Sequence, residues 1–231
     1  MQIPEIKSFH PMLSLCMLCM LMLVIFPAIA ADRISGVIIN FRGMAHIVHG
    51  DSRQTVKRGL RVMVGDQILT GDNARVAIKM IDDAILILGS NTQFHIRQYN
   101  YASQARQGSA SLELLKGALR SITGLIGKTS GKDFKIKTAV ATIGIRGTDF
   151  WVGTIFGNAT DAALFSGEAI YVENDAGRVE IDQAGFGTTV EAINTPPSPP
   201  RQWGKTKYQA AQSSVSLIAD DPALQQESDD Y

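Results

Sequence analysis

Few residues in this chain have the types and spacing that chemistry needs. The densest group is Gly144-Ile145-Arg146-Gly147-Thr148-Asp149, where a guanidinium and a carboxylate sit three residues apart between glycines. Such a pair can read a ligand. It can equally pair with itself or with turn backbone and brace a bend. A phosphate cradle would need a helix N-terminus behind the glycines, and Phe150-Trp151-Val152 is strand-like instead. His46 and His49 are three apart, which on a strand sends them to opposite faces, a poor arrangement for one metal. Neither a Gly-x-Ser-x-Gly nor a His-Glu-x-x-His occurs, and the only cysteines, Cys16 and Cys19, lie in the apolar N-terminal run. The expectation is a chain that is not an enzyme and takes no cofactor or metal.

The elements that position this motif read as strands. Within Asp133–Gly153, Phe134, Ile136 and Thr138 alternate with Asp133, Lys135 and Lys137, the period of a half-buried strand. Gly144 and Gly147 then mark a bend before a second strand. Upstream, Val76, Ile78 and Met80 share one face of a strand at 74–81, and 84–88 is apolar on both faces, as in a strand buried mid-sheet. Phe94 and Ile96 point inward from a strand at 93–97. Residues 98–108, with Tyr99 and Tyr101, read as a polar loop, and 123–132, with Gly124, Gly127 and Gly131, as a mobile connection. Further strands are expected at 111–122, 162–173, 178–182 and 188–190. This is an all-β pattern with many turns.

Charge and the N-terminus bound the setting. Lysine plus arginine and aspartate plus glutamate both number 22, so no charge excess argues for nucleic acid or an anionic membrane. Met12–Phe26 is apolar apart from Ser14, followed by Pro27 and Ala28-Ile29-Ala30. That pattern predicts a signal peptide over residues 1–30, cut between Ala30 and Ala31. The rival is a retained anchor, but the run is shorter than the ~20 residues a spanning helix needs, so no transmembrane segment is expected after cleavage. Leu15 and Leu18 precede the cysteines where a lipoprotein would have a small residue. The expected compartment is a bacterial periplasm, or secretion beyond it.

The central segment Thr138-Ala139-Val140-Ala141-Thr142-Ile143-Gly144-Ile145-Arg146-Gly147-Thr148 resembles the signature near the end of the FecR domain family, the periplasmic module named after the ferric-citrate regulator. The resemblance runs from about Leu60 to Val190, in the family's order: Val64-Gly65-Asp66, Ile68-Leu69-Thr70-Gly71, Leu86-Leu88-Gly89, and Leu112-Leu114-Lys116-Gly117. Two positions depart from it: Ala139 stands where the family has Pro, and Asp83 where it prefers Gly, although Asp tolerates a left-handed turn. The resemblance implies a jelly-roll-like β-sandwich, no catalysis and a role in protein contact. The regulators carry a cytoplasmic sigma-factor-binding segment, whereas only Met1–Pro11 precedes the apolar run here, so that signalling role is not expected to transfer.

The expected organisation is therefore a signal peptide (1–30), a FecR-like β domain (31–194) and a tail (195–231). The tail opens with Thr195-Pro196-Pro197-Ser198-Pro199-Pro200, a semi-rigid spacer. A capping box at Thr206 and Gln209 and apolar spacing at Tyr208, Ala211, Val215 and Ile218 predict a short helix over 207–219, with an acidic end after it. Trp203 and Tyr208 stand among Arg201, Lys205 and Lys207 and are candidate partner contacts, unless the helix packs back on the domain. The leading function is a binding module for an unknown envelope protein. The alternative is a glycan- or peptidoglycan-binding domain, which an exposed aromatic platform would favour.

Overall fold

In the computed structural model, residues 33–130 and 133–217 are described, all within one compact unit that begins at Asp32. The candidate cleavage site at Ala30 and Ala31 and the acidic end of the tail lie outside them.

The described residues form an all-β fold whose strands join into one curled sheet. One arm of the sheet contains β1 (Ile34–Arg42), β4 (Arg61–Met63), β6 (Arg75–Met80), β7 (Ile85–Leu88) and β10 (Ala118–Ile122). The other contains β2 (Ala45–His49), β3 (Ser52–Thr55), β5 (Gln67–Thr70), β8 (Gln93–Ala102), β9 (Gln107–Lys116) and β11 (Phe134–Lys137). Two long antiparallel strands, β12 (Thr142–Gly153) and β13 (Thr160–Asn174), belong to both arms. The first half of β12 pairs with β11 and its second half with β10. The free side of β13 likewise takes β15 (Phe186–Val190) near its start and β14 (Gly177–Ile181) near its end.

A single apolar core gathers inward side chains from both arms: Ile78, Leu86 and Leu88 from one, Phe94, Ile96 and Leu112 from the other. The alternation expected over 134–137 is present, with Phe134 and Ile136 buried and Lys135 and Lys137 exposed. Ile85–Leu88 is buried at every position, because its outer face is covered too.

Four expectations need correction. Residues 98–108 are not a polar loop but the far end of the β8–β9 hairpin, and Tyr99 is buried at 1% exposure. A bulge between Ile96 and Gln98 leaves Arg97 and Gln98 both exposed, which hides the strand period from a sequence reading. The glycine-rich connection contains a helix, α1 (Leu125–Ser130), pinned by Asp82. This helix carries the chain across the fork, and β11 returns parallel to β9. The tail helix α2 spans Lys205–Ser214 and is capped by Gly204 without a side-chain bond, so the Thr206 capping box does not form. Asp83 does take a left-handed φ of 67°, as its turn requires.

Candidate functional site

The central motif lies where β12 passes from one arm to the other. Its pairing with β11 ends at Gly144 and that with β10 begins at Asp149, with α1 packed beside the gap. Thr123 bridges the fork: its hydroxyl donates to the Thr148 carbonyl at 2.6 Å and accepts the Thr148 N–H at 3.0 Å. Thr148 itself is buried, and its Oγ1 has no hydrogen-bond partner.

The two glycines have different tasks. Gly147 has φ +56° and open space around it, so it supplies a left-handed backbone. Gly144 has no such φ, and a Cβ there would fall inside the Tyr171 ring. Tyr171 therefore lies flat on β12, with Arg178 stacked 3.9 Å from its ring centre.

Arg146 and Asp149 do not pair with each other. Arg146 is exposed and reaches Glu180 at 3.5 Å. Asp149 instead takes a two-pronged hydrogen bond from Arg120 of β10, at 2.9 and 2.5 Å. The physical reason is register: Arg120 faces Trp151, so it is the diagonal neighbour of Asp149 across the strand pair. That carboxylate holds the Arg120 guanidinium above its ordinary pKa, mainly through the hydrogen bonds and against the cost of burial. Arg120 lies 29 residues from Asp149, so no local signal could have found it.

Asp149 and the tail aromatics, read separately from the sequence, come together on one outer face of the sheet. Arg120 lies 5.7 Å from the Phe165 ring centre, and Phe165 meets Tyr208 edge-on at 5.2 Å. Burial beside Asp149 pushes the Tyr208 phenol up. Trp203 is only 8% exposed: it meets Trp151 at 5.8 Å and Phe156 at 6.1 Å, and it lies on Gly187, where a Cβ would displace it. The Lys207 ammonium stands 4.5 Å from the Trp203 ring centre and 5.2 Å from that of Phe156, and it pairs with the buried Asp161 at 2.5 Å. The Trp151 indole N–H donates to Ser214 Oγ at 2.9 Å. Beneath α2 lie Ala77, Ile85, Ile87, Ala118 and Ala163. The tail helix thus packs back on the domain, and Trp203 is turned inward rather than offered to a partner.

Elsewhere, His49 Nδ1 bonds the buried Asp66 at 2.6 Å, and no metal-binding cluster occurs among the described residues. An open groove of about 920 Å³ runs beside the β8–β9 hairpin, lined by Arg33, Ile34, Ile81, Tyr101 and Asp133 among others. Ile34 and Ile81 are both more than two-fifths exposed there.

Residues 66–169 match the model of the FecR protein family. These residues form a FecR domain. The match holds the central motif, the fork and the Arg120–Asp149 pair, while the α2 layer lies beyond it. No curated protein matches the chain significantly. Two crystal structures of a candidate anti-sigma factor from Parabacteroides distasonis align with 62% of this chain at 14% identity and a TM-score of 0.49. The chain covers 63% of one of those proteins and 62% of the other, less than two thirds of their length.

Proposed function

We propose that this chain is a non-enzymatic binding module of the bacterial cell envelope, exported to the periplasm, and that its ligand is another protein. The FecR domain over residues 66–169 carries this reading, because the family resemblance implies protein contact rather than catalysis. The apolar stretch before Ala28-Ile29-Ala30 supports export. A glycan reading is less well supported. It calls for an open aromatic platform, whereas Tyr171 has Gly144 against its ring and Arg178 stacked on it.

The test is crosslinking in the envelope with the native protein as bait, followed by mass spectrometry of the adducts and of the bait's own N-terminus. Adducts to a defined protein and a bait beginning at Ala31 are expected. Adducts confined to cell-wall glycan would favour the alternative, and an intact N-terminus would end the cleavage reading.

A further inference from the structure

The helix α2 is poorly built for standing alone. Ten residues are too few for a stable isolated helix. Its N-cap Gly204 offers no side chain, its first turn has no acidic residue, and Lys205 and Lys207 place positive charge against the positive end of the helix dipole. What holds it is the face it covers. Lys207, Ala211 and Val215 are spaced i, i+4, i+8, so they lie along one side of the helix. Ala211 and Val215 are buried on the apolar strands, and Lys207 reaches Asp161.

The receiving surface is more complete than the helix that occupies it. Asp161 is 2% exposed, and its Oδ1 accepts hydrogen bonds from both Thr189 Oγ1 and Lys207 Nζ at 2.5 Å. The rings of Trp203 and Phe156 face the same ammonium. A buried carboxylate beside aromatic faces is a site for an alkylammonium, since the rings attract the cation and the carboxylate neutralises it. Beside it, Ala77, Ala118 and Ala163 provide the small side chains against which a helix can lie closely, flanked by Ile85 and Ile87.

We infer that α2 is a detachable cover, hinged at Gly204, over a docking surface for a partner helix. That helix carries a lysine followed at four and eight residues by a small and an aliphatic side chain. The inference rests on the protein-binding reading above and gives it a surface. Charge complementarity at Asp161 and the fit of the chain's own helix define the occupant. A partner displaces α2 by offering the same lysine with a better helix behind it. Trp203 stays on Gly187 through the exchange, held by its backbone N–H, which donates to the Gly185 carbonyl at 2.9 Å.

The test uses the purified full chain and a dye-labelled synthetic peptide of residues 205–217, read by fluorescence anisotropy. Two variants uncover the surface by different routes. Lys207→Ala removes the clasp from the helix but leaves Asp161, and Gln209→Pro breaks α2 at an exposed position. Both are expected to bind the peptide roughly tenfold or more tightly than the wild-type chain, whose own helix competes. The peptide carrying Lys207→Ala should bind them roughly tenfold more weakly, and the same loss is expected for the wild-type peptide when Asp161→Asn is added to the Gln209→Pro chain. Variants that keep their β circular dichroism yet bind no better than wild type would overturn the proposal, as would binding indifferent to the peptide's lysine. If Lys207→Ala does not fold, Gln209→Pro decides alone; if neither keeps the fold, α2 is not detachable and the proposal falls. Because only purified components are used, a negative result leaves the envelope crosslinking result standing on its own.

Discussion

At the scale of single residues, Gly144 and Gly147 separate two physical demands that look alike in the sequence. Gly147→Val forces a β-branched residue to φ +56° in otherwise open space and should cost about 1–2 kcal/mol, while Gly147→Asn should cost much less. Gly144→Val has no backbone penalty but drives Tyr171 off β12 and away from Arg178, a cost of roughly 1–3 kcal/mol. Arg146→Ala should change stability by less than about 0.5 kcal/mol, since its partner Glu180 is 3.5 Å away and both side chains are exposed. Chemical denaturation of the four variants checks this ranking, and wild-type behaviour of both valine variants would refute it. His95 adds a pH dependence. It is buried, its Nδ1 has no hydrogen-bond partner, and Glu113 is 3.8 Å away. Burial, helped by the Arg97 charge, lowers its pKa despite Glu113 and Asp66. The unfolded chain then takes up a proton near pH 6.5 that the folded chain refuses, so unfolding binds protons and stability falls as the pH drops below about 6.5. Melting temperatures followed downward from neutral pH should decline less steeply in His95→Gln than in the wild type.

At the scale of elements, Asp82 connects the two arms. It is fully buried and accepts the Tyr99 hydroxyl at 2.5 Å, the Ile126 N–H at 3.0 Å and the Ala84 N–H at 3.2 Å. One carboxylate thus fixes its own turn, the far end of β8 and the start of α1. Tyr99→Phe removes one of these bonds and should cost about 1–3 kcal/mol with α1 intact. Asp82→Ala orphans all three donors and should cost roughly 2–5 kcal/mol. Hydrogen exchange at the Ile126 amide is the measurement: its protection should survive Tyr99→Phe and be lost in Asp82→Ala. None of this was legible in the sequence, although most strands were. Val76, Ile78, Phe94 and Ile136 declare their strands because burial on one face of a regular ladder imposes a period of two. Where the ladder is bulged at Arg97, the period is lost and Tyr99 reads as a loop residue. Gly124 and Gly127 suggested a mobile link because glycine disfavours helices, yet both sit where a Cβ would collide, with Asp82 and Ala84 or with Thr123 and Ile145. Their smallness admits α1. The motif's existence could be read, but Arg120 as the partner of Asp149 could not, because only the pairing of β10 with β12 brings them together.

At the scale of the whole molecule, the sheet has two apolar faces of unequal kind. The inner face closes on a large core that draws side chains from both arms. The outer face is covered by a short helix and the aromatic cluster at its foot. Both tryptophans of the chain, Trp151 and Trp203, stand in that outer cluster, so tryptophan fluorescence reports the outer layer, while far-UV circular dichroism reports the strands. An element held by few buried side chains and a handful of polar and ring contacts opens at lower free energy than the core beneath it. The two signals should therefore not coincide on denaturation. As urea rises, the fluorescence transition should come first, with the β signal nearly unchanged, and added salt should advance it further by screening the part-exposed Lys207 against Asp161. In Gln209→Pro the early fluorescence step should be absent, because the outer layer is already open in water. Superimposable transitions in the wild type would make α2 part of the cooperative core, and the outer face a structural seam rather than a surface that opens.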